Sequence, residues 1–299
     1  MPFDAKDLLL FGLAAFTIFY LLRLAIGLRA ERKLAGDAPL APTPAVLGAS
    51  FVANFFDTFG IGSFATTTAI FRNFKLVKDE LIPGTLNVGY VLPTVTQAVI
   101  FTKVVPVEAR TLILMIGAAI AGAWLGAGVV SSWPRRTIQV GMGLTLLAAA
   151  TLMLLTQLKL VPGGGDLLAL GGTKLIVGVV VNMFLGALMT LGIGLYGPCM
   201  ILVSLLGMSP LTAFPIMMGS CAFLMPVASA RFIRARRYDL RASIGMLLGG
   251  IPAVLVAVYI VKSMPIDVVR WLVIVVVVYT AAGLLRTAMR ERAAVPQAG

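Results

Sequence analysis

Thr58-Phe59-Gly60-Ile61-Gly62-Ser63-Phe64 and Thr190-Leu191-Gly192-Ile193-Gly194-Leu195-Tyr196 follow one pattern, a Gly-x-Gly pair after a threonine, and each lies near the middle of a long apolar run. Those runs, residues 46–71 and 174–206, exceed the roughly 20 residues that carry a helix across about 30 Å of hydrocarbon. Glycine in a helix interior costs about 1 kcal/mol relative to alanine. Two glycines two residues apart, in both copies, therefore predict a broken helix. Gly197-Pro198 follows the second copy. Proline lacks an N–H and suits the first turn of a helix, so Pro198 is expected to open a second half-helix.

Outward from these elements the chain stays apolar. Of its 299 residues 60% are hydrophobic and 12% charged, with a mean hydropathy of +1.01. A soluble domain carries about a quarter charged residues, so this chain lacks the polar surface to cover a water-soluble globule. Alternating segments of about ten residues, the mark of a membrane β-barrel, are missing. The backbone must then satisfy itself as helices. The expected fold is all-α: a polytopic transmembrane helical bundle of about nine spans. They cover residues 8–28, 46–71, 84–102, 111–131, 137–157, 174–206, 211–230, 243–261 and 267–286.

The repeat extends beyond the glycines. Gly192 lies 132 residues after Gly60, Pro215 lies 132 after Pro83, and Pro226 matches Pro93 with one residue inserted. Five segments result. Residues 1–45 hold an extra N-terminal transmembrane helix and a linker, and 46–157 a first membrane repeat. Residues 158–173 form a linker, 174–289 a second repeat, and 290–299 a disordered tail. Four spans per repeat is an even number, which predicts two parallel tandem repeats. A re-entrant element counted as a span would reverse that to inverted repeats.

The net charge of +12 invites a nucleic-acid reading, which the placement of the charges rejects. Lys and Arg sit in short loops between apolar runs, where they orient membrane helices. With the loop after the first span inside, alternation leaves Lys6, Arg72, Lys75, Lys78, Arg135, Arg136, Lys262 and Arg270 outside and the rest of the 24 basic residues inside. The expectation is a multi-pass protein of a bacterial inner (cytoplasmic) membrane, N-terminus outside and C-terminus cytoplasmic. Arg231–Arg241 is the strongest anchor, read as a stop signal beside anionic headgroups. The N-terminus lacks a basic region and cleavage site, so an uncleaved first helix is expected. The chain has no histidine and two cysteines, without metal-ligand spacing. No metal or cofactor is expected.

A half-helix N-terminus in mid-membrane has unpaired N–H groups and a positive dipole end, both of which favour an anion. Gly60, Gly62, Gly192, Gly194 and Gly197 would shape two such breaks, with Ser63, Thr66, Thr67 and Thr68 adding hydroxyl donors. The competing reading is packing, because small residues bring membrane helices together and Ser and Thr bond between them. Asp57 is the one acidic residue well inside a span, with Asn54 one turn before it. An ionised carboxylate at that depth costs at least about 2.5 kcal/mol, which points to proton coupling; an interfacial or neutral Asp57 is the alternative. Asn87 and its counterpart Ser220 are candidates for the same site or for helix packing. Cys199 and Cys221 lie close to the second copy in sequence, as weak donors or small hydrophobes.

On these residues the chain resembles the sulfite exporter TauE/SafE family of bacterial membrane permeases, from about Val46 to Arg286. The likeness rests on Gly60-Ile61-Gly62, Gly192-Ile193-Gly194 and the sequel Leu205-Leu206-Gly207-Met208-Ser209-Pro210-Leu211-Thr212-Ala213. Asn73 to Leu81 is more polar than the family pattern, and Ser63 and Leu195 stand where the family carries a further glycine. The resemblance implies two four-helix repeats and export of sulfite, sulfoacetate or related organosulfur anions, with the first span an addition.

A transporter of small anions is therefore expected, not an enzyme, with the solute bound between the repeats and the proton gradient as driving force. A carrier of a cation or neutral metabolite, and a non-transporting structural protein, are the alternatives. The expected partners are a sulfite-like anion and the lipid bilayer, no nucleic acid, with a homo-oligomer left open.

Overall fold

The computed structural model describes residues 5–35, 41–129, 135–160, 165–189 and 195–293. Among them the chain is helix and turn, apart from an isolated bridge between Leu167 and Met208. The helices in chain order are α1 (Ala5–Ala35), α2 (Pro44–Thr58), α3 (Ser63–Asn73), α4 (Ile82–Gly89), α5 (Val91–Val104) and α6 (Ala109–Val129). They continue as α7 (Arg135–Gln157), α8 (Gly172–Met189), α9 (Tyr196–Leu205), α10 (Ala213–Ala235), α11 (Leu240–Lys262) and α12 (Ile266–Ala293). Five stretches, in α1, α8, α10, α11 and α12, are long and apolar enough to cross a membrane.

The apolar helices match expectation, but their division does not. Spans 46–71 and 174–206 are each two helices, α2 with α3 and α8 with α9. Span 84–102 is α4 and α5 joined through Tyr90. Helix α1 runs on to Ala35, into the segment read as linker, and α12 to Ala293, into the segment read as tail. Residues 294–299 lie outside the described residues.

The chain forms two compact units. Unit 1 holds residues 1–105 and 218–263; unit 2 holds 106–217 and 264–299. They are not the two linear repeats, since each takes helices from both.

In unit 1, α2 lies along α11 and runs the same way. Ser50 Oγ donates to the Met246 carbonyl at 2.9 Å. A Cβ on Gly249 would stand 2.5 Å from the Leu47 carbonyl, and one on Gly250 2.7 Å from Asn54 Nδ2. The start of α4 meets the α10–α11 turn, where the Asp239 N–H donates to Thr85 Oγ1 at 2.9 Å. Thus α2 and α4 begin at one end of the unit. Together α2 and α3 leave that end and return to it: they form a hairpin, not a crossing. Helix α1 packs by a narrow stripe, with Tyr20 Oη donating to the Val88 carbonyl at 2.7 Å.

In unit 2 the second hairpin closes on itself. The Leu167 N–H, ahead of α8, donates to the Gly207 carbonyl at 3.3 Å, and the Ser209 N–H, after α9, donates to the Leu167 carbonyl at 2.9 Å. The 158–173 segment is therefore pinned where described: Glu108 N–H bonds the Leu168 carbonyl at 2.8 Å. Helices α6 and α8 run parallel at backbone distance. A Cβ on Gly122 would lie 1.7 Å from the Met183 carbonyl, and one on Gly186 2.1 Å from the Ala119 carbonyl. Asn182 Nδ2 donates to the Met115 carbonyl at 2.7 Å.

These seams predict a contrast. Gly122→Ala forces α6 off α8 and should cost about 1–3 kcal/mol, as overpacking does. Gly283→Ala, where an added methyl meets nothing within 4 Å, should be neutral or gain up to about 1 kcal/mol from helix propensity. Thermal unfolding in detergent, followed by tryptophan fluorescence, compares the two.

Candidate functional site

The first break lies in unit 1 and is built by backbone geometry. Helix α2 opens with Thr43 as its cap, Pro44 in its first turn and the Val46 N–H donating to Thr43 Oγ1. It closes with the Gly60 N–H donating to the Asp57 carbonyl at 2.8 Å. Gly60 then takes φ 91° and Gly62 φ 85°. Left-handed backbone costs a residue with a Cβ roughly 1–2 kcal/mol, so both turns call for glycine. Helix α3 starts at Ser63, with no side chain on Gly62 to cap it.

The missing cap is supplied by Asp57. Its Oδ1 accepts the Ser63 N–H at 2.6 Å, and its Oδ2 accepts from Gln97 Nε2 at 3.1 Å. The residue is 3% exposed, and no Lys or Arg pairs with it among the described residues. The expectation that this break presents bare amides is thus corrected: the first N–H of α3 is taken by an internal carboxylate. The positive end of the helix favours that negative charge, and charge-assisted bonds offset part of the desolvation.

A polar ladder extends from Asp57. Gln97 Nε2 also donates to Thr58 Oγ1 at 3.0 Å. Thr58 Oγ1 donates to the Asn54 carbonyl at 2.9 Å, and Asn54 Nδ2 donates to the Ser50 carbonyl at 2.9 Å. Ser50 then reaches α11 as described above. Asn54 Oδ1 is buried with no hydrogen-bond partner. On the other flank of the break Thr67 Oγ1 bonds Tyr90 Oη, and the Phe64 ring stacks on Tyr90 at 6.0 Å.

Of the predicted site residues, the structure joins Asp57, Gly60, Gly62 and Ser63 directly and brings Thr67 to the same hairpin. Thr66 is half-buried on α3. Asn87 Nδ2 donates within its own helix to the Pro83 carbonyl at 2.9 Å, and the Asn87 main-chain carbonyl accepts Ser229 Oγ at 2.9 Å. Ser220 and Cys221 are buried on α10. Gly197 and Cys199 lie in unit 2, where a Cβ on Gly197 would stand 2.9 Å from Thr280 Oγ1 and Cys199 is buried. Gly192 and Gly194 fall outside the described residues, although α8 and α9 on either side are separate helices. Gln97 and Tyr90 were missed. A glutamine inside an apolar span was a usable signal, since an amide in hydrocarbon needs partners.

No family model, curated protein or solved structure matches the chain.

Two substitutions test the break. Gly62→Ala places its methyl in open space, so its cost should be the backbone term alone, about 1–2 kcal/mol. Gln97→Leu deprives Asp57 Oδ2 and Thr58 of a donor and should cost about 1–3 kcal/mol. Thermal unfolding reads both; a Gln97→Leu protein as stable as the parent would show that Gln97 does not support the carboxylate.

Proposed function

We propose that the protein is a proton-coupled membrane transporter of small anions, working through the α2–α3 break. The observation that carries this reading is the buried Asp57 carboxylate on the Ser63 amide. A carboxylate at that amide is already an anion at a helix N-terminus, held by the chain itself. A solute anion competing for the same amides would sit beside it. Two like charges about 4 Å apart at an effective dielectric of 20 repel by about 4 kcal/mol. That repulsion is relieved when Asp57 takes up a proton. Solute binding and Asp57 protonation would then be linked, Asp57 taking up one proton for each solute bound.

The linkage has a sign. If a proton accompanies the anion, the two cross together, and acid on one side drives the solute away from that side. Export driven by an inward proton gradient needs the opposite coupling, so the direction of the pH effect decides between them. Sulfite or an organosulfonate is the solute that the TauE/SafE resemblance implies.

The transport architecture we infer is a pair of inverted repeats. With α2–α3 and α8–α9 as hairpins, the crossings between them are α4–α5, α6 and α7. Three is an odd number, so by chain order the repeats read as inverted, against the parallel repeats expected from nine spans. Seven crossings keep the N-terminus outside and the C-terminus inside. This topology brings Arg72, Lys75, Lys78, Arg135 and Arg136 inside and moves only Lys103, Arg110, Lys159 and Lys174 outside, a stronger positive-inside bias. Repeats of inverted topology with discontinuous helices are a common transporter plan. A cation carrier is the second reading, favoured by the unpartnered Asn54 Oδ1 one turn from the carboxylate.

Radiolabelled sulfite flux into proteoliposomes tests the function. Acid outside should speed uptake, and Asp57→Asn should abolish that pH response. A variant with normal rate and unchanged pH profile rules out the coupling; flux that needs sodium instead favours the cation reading, and no flux for any small anion favours a structural protein. Single cysteines test the topology with an impermeant maleimide in oriented vesicles. Lys75→Cys and Arg234→Cys should label from one side and Lys159→Cys from the other.

A further inference from the structure

The gap between α3 and α5 is bridged twice. Ser63 on α3 and Gln97 on α5 both bond Asp57, which makes the first bridge. One turn on from Ser63, about 6 Å further along α3, Thr67 Oγ1 bonds Tyr90 Oη and makes the second. The Thr94 N–H donates to the Tyr90 carbonyl at 3.0 Å, so Tyr90 keeps the register of α5. It stands two turns before Gln97 on the same face. Thr67 and Tyr90 are both fully buried.

The second bridge has a donor too many. Two hydroxyls carry two O–H donors, and the bond between them uses one. Neither oxygen has another hydrogen bond among the described residues, so one buried O–H points at no acceptor. Buried donors in native structures nearly always have one. Space lies close by: a methyl on Gly62, at the head of α3, would meet nothing within 4 Å. An oxyanion fits this lack. One of its oxygens accepts from both hydroxyls at once and replaces a neutral hydrogen bond by two charge-assisted ones, each roughly twice as strong. The surroundings limit its charge. On α2 to α5 the only cations among the described residues are Arg72 and Lys103, both exposed at the ends of α3 and α5. Helix α11 brings only Gly249 and Gly250 against α2 at the level of Asn54. With no cation to balance it, a second negative charge in this dry interior goes uncompensated.

We propose that Thr67 and Tyr90 hold the solute: their hydroxyls bind one oxygen of a singly charged oxyanion beside Asp57. The inference rests on the anion reading of the α2–α3 break and names the groups that would grip the anion there.

Titration calorimetry on the full-length protein in detergent and mildly acid buffer tests it, with methanesulfonate as the singly charged probe and sulfate as the doubly charged one. Methanesulfonate should bind saturably, and sulfate more weakly by about tenfold or more. Tyr90→Phe, which keeps the ring on Phe64, and Thr67→Val, which keeps the shape, should each weaken methanesulfonate about tenfold. Thr96→Val should bind as the parent does, because the Thr96 hydroxyl is spent on the Leu92 carbonyl of its own helix. In the unaltered protein, saturating methanesulfonate should also slow amide exchange over residues 63–70, a readout that no variant has to survive. The proposal is overturned by no saturable binding, by equal affinity in the parent and both hydroxyl variants, or by sulfate bound as tightly as methanesulfonate. Hydroxyl-dependent binding without flux of any anion leaves this site standing and removes the transport reading. Flux with a normal pH response in Tyr90→Phe does the reverse.

Discussion

The carboxylate of Asp57 on the first amide of α3 is the interaction on which unit 1 depends. A chain that turns back inside hydrocarbon must break its helix, and a break exposes amides that no water can satisfy. Each unmet polar group costs several kcal/mol there. With Gly62 at the cap position, nothing local can close the end. A side chain six residues upstream does so, and the ladder through Gln97, Thr58, Asn54 and Ser50 ties the closure to α5 and α11. Under the proposed function the same carboxylate would feel a solute anion, so structural need and proposed coupling fall on one residue.

Close backbone approach does the rest. Between apolar helices in lipid, dispersion and interhelical hydrogen bonds hold the bundle, and small residues let them act. Gly249 and Gly250 admit α2 to α11; Gly122 and Gly186 admit α6 to α8. The two seams correspond. Ser50 bonds the Met246 carbonyl as Asn182 bonds the Met115 carbonyl, with the first residues of these pairs 132 apart and the second 131. In each unit the first arm of a hairpin runs beside a helix from the other stretch read as a repeat. That exchange is why the compact units and the linear repeats do not coincide.

Hydropathy read the helices well and their direction poorly, for a physical reason. Both arms of α2–α3 and of α8–α9 are as apolar as a crossing helix, and apolar content carries no sign along the membrane normal. The glycines told of the break at Gly60–Gly62, but a broken helix can continue or return. Only Thr85 at Asp239, and Leu167 at Gly207 and Ser209, decide that these return. Asn87 was legible as polar, with site and packing both open; its side chain bonds Pro83 in its own helix, and only the fold brings Ser229 to its main-chain carbonyl.

From the residues alone came the all-helical apolar bundle, the interruption at Gly60–Gly62 and the singular position of Asp57. Composition, left-handed glycine positions and the cost of a buried charge act locally, so they can be read without coordinates. The fold alone decided that α2–α3 and α8–α9 are hairpins, that Gln97 faces Asp57, and that the carboxylate fills the helix end thought to be open. The first two depend on which distant segments share an end of a unit, and contacts across forty or more residues leave no periodic mark in the chain; the third is local, six residues apart, and rests on how the turn at Gly60 and Gly62 aims the carboxylate.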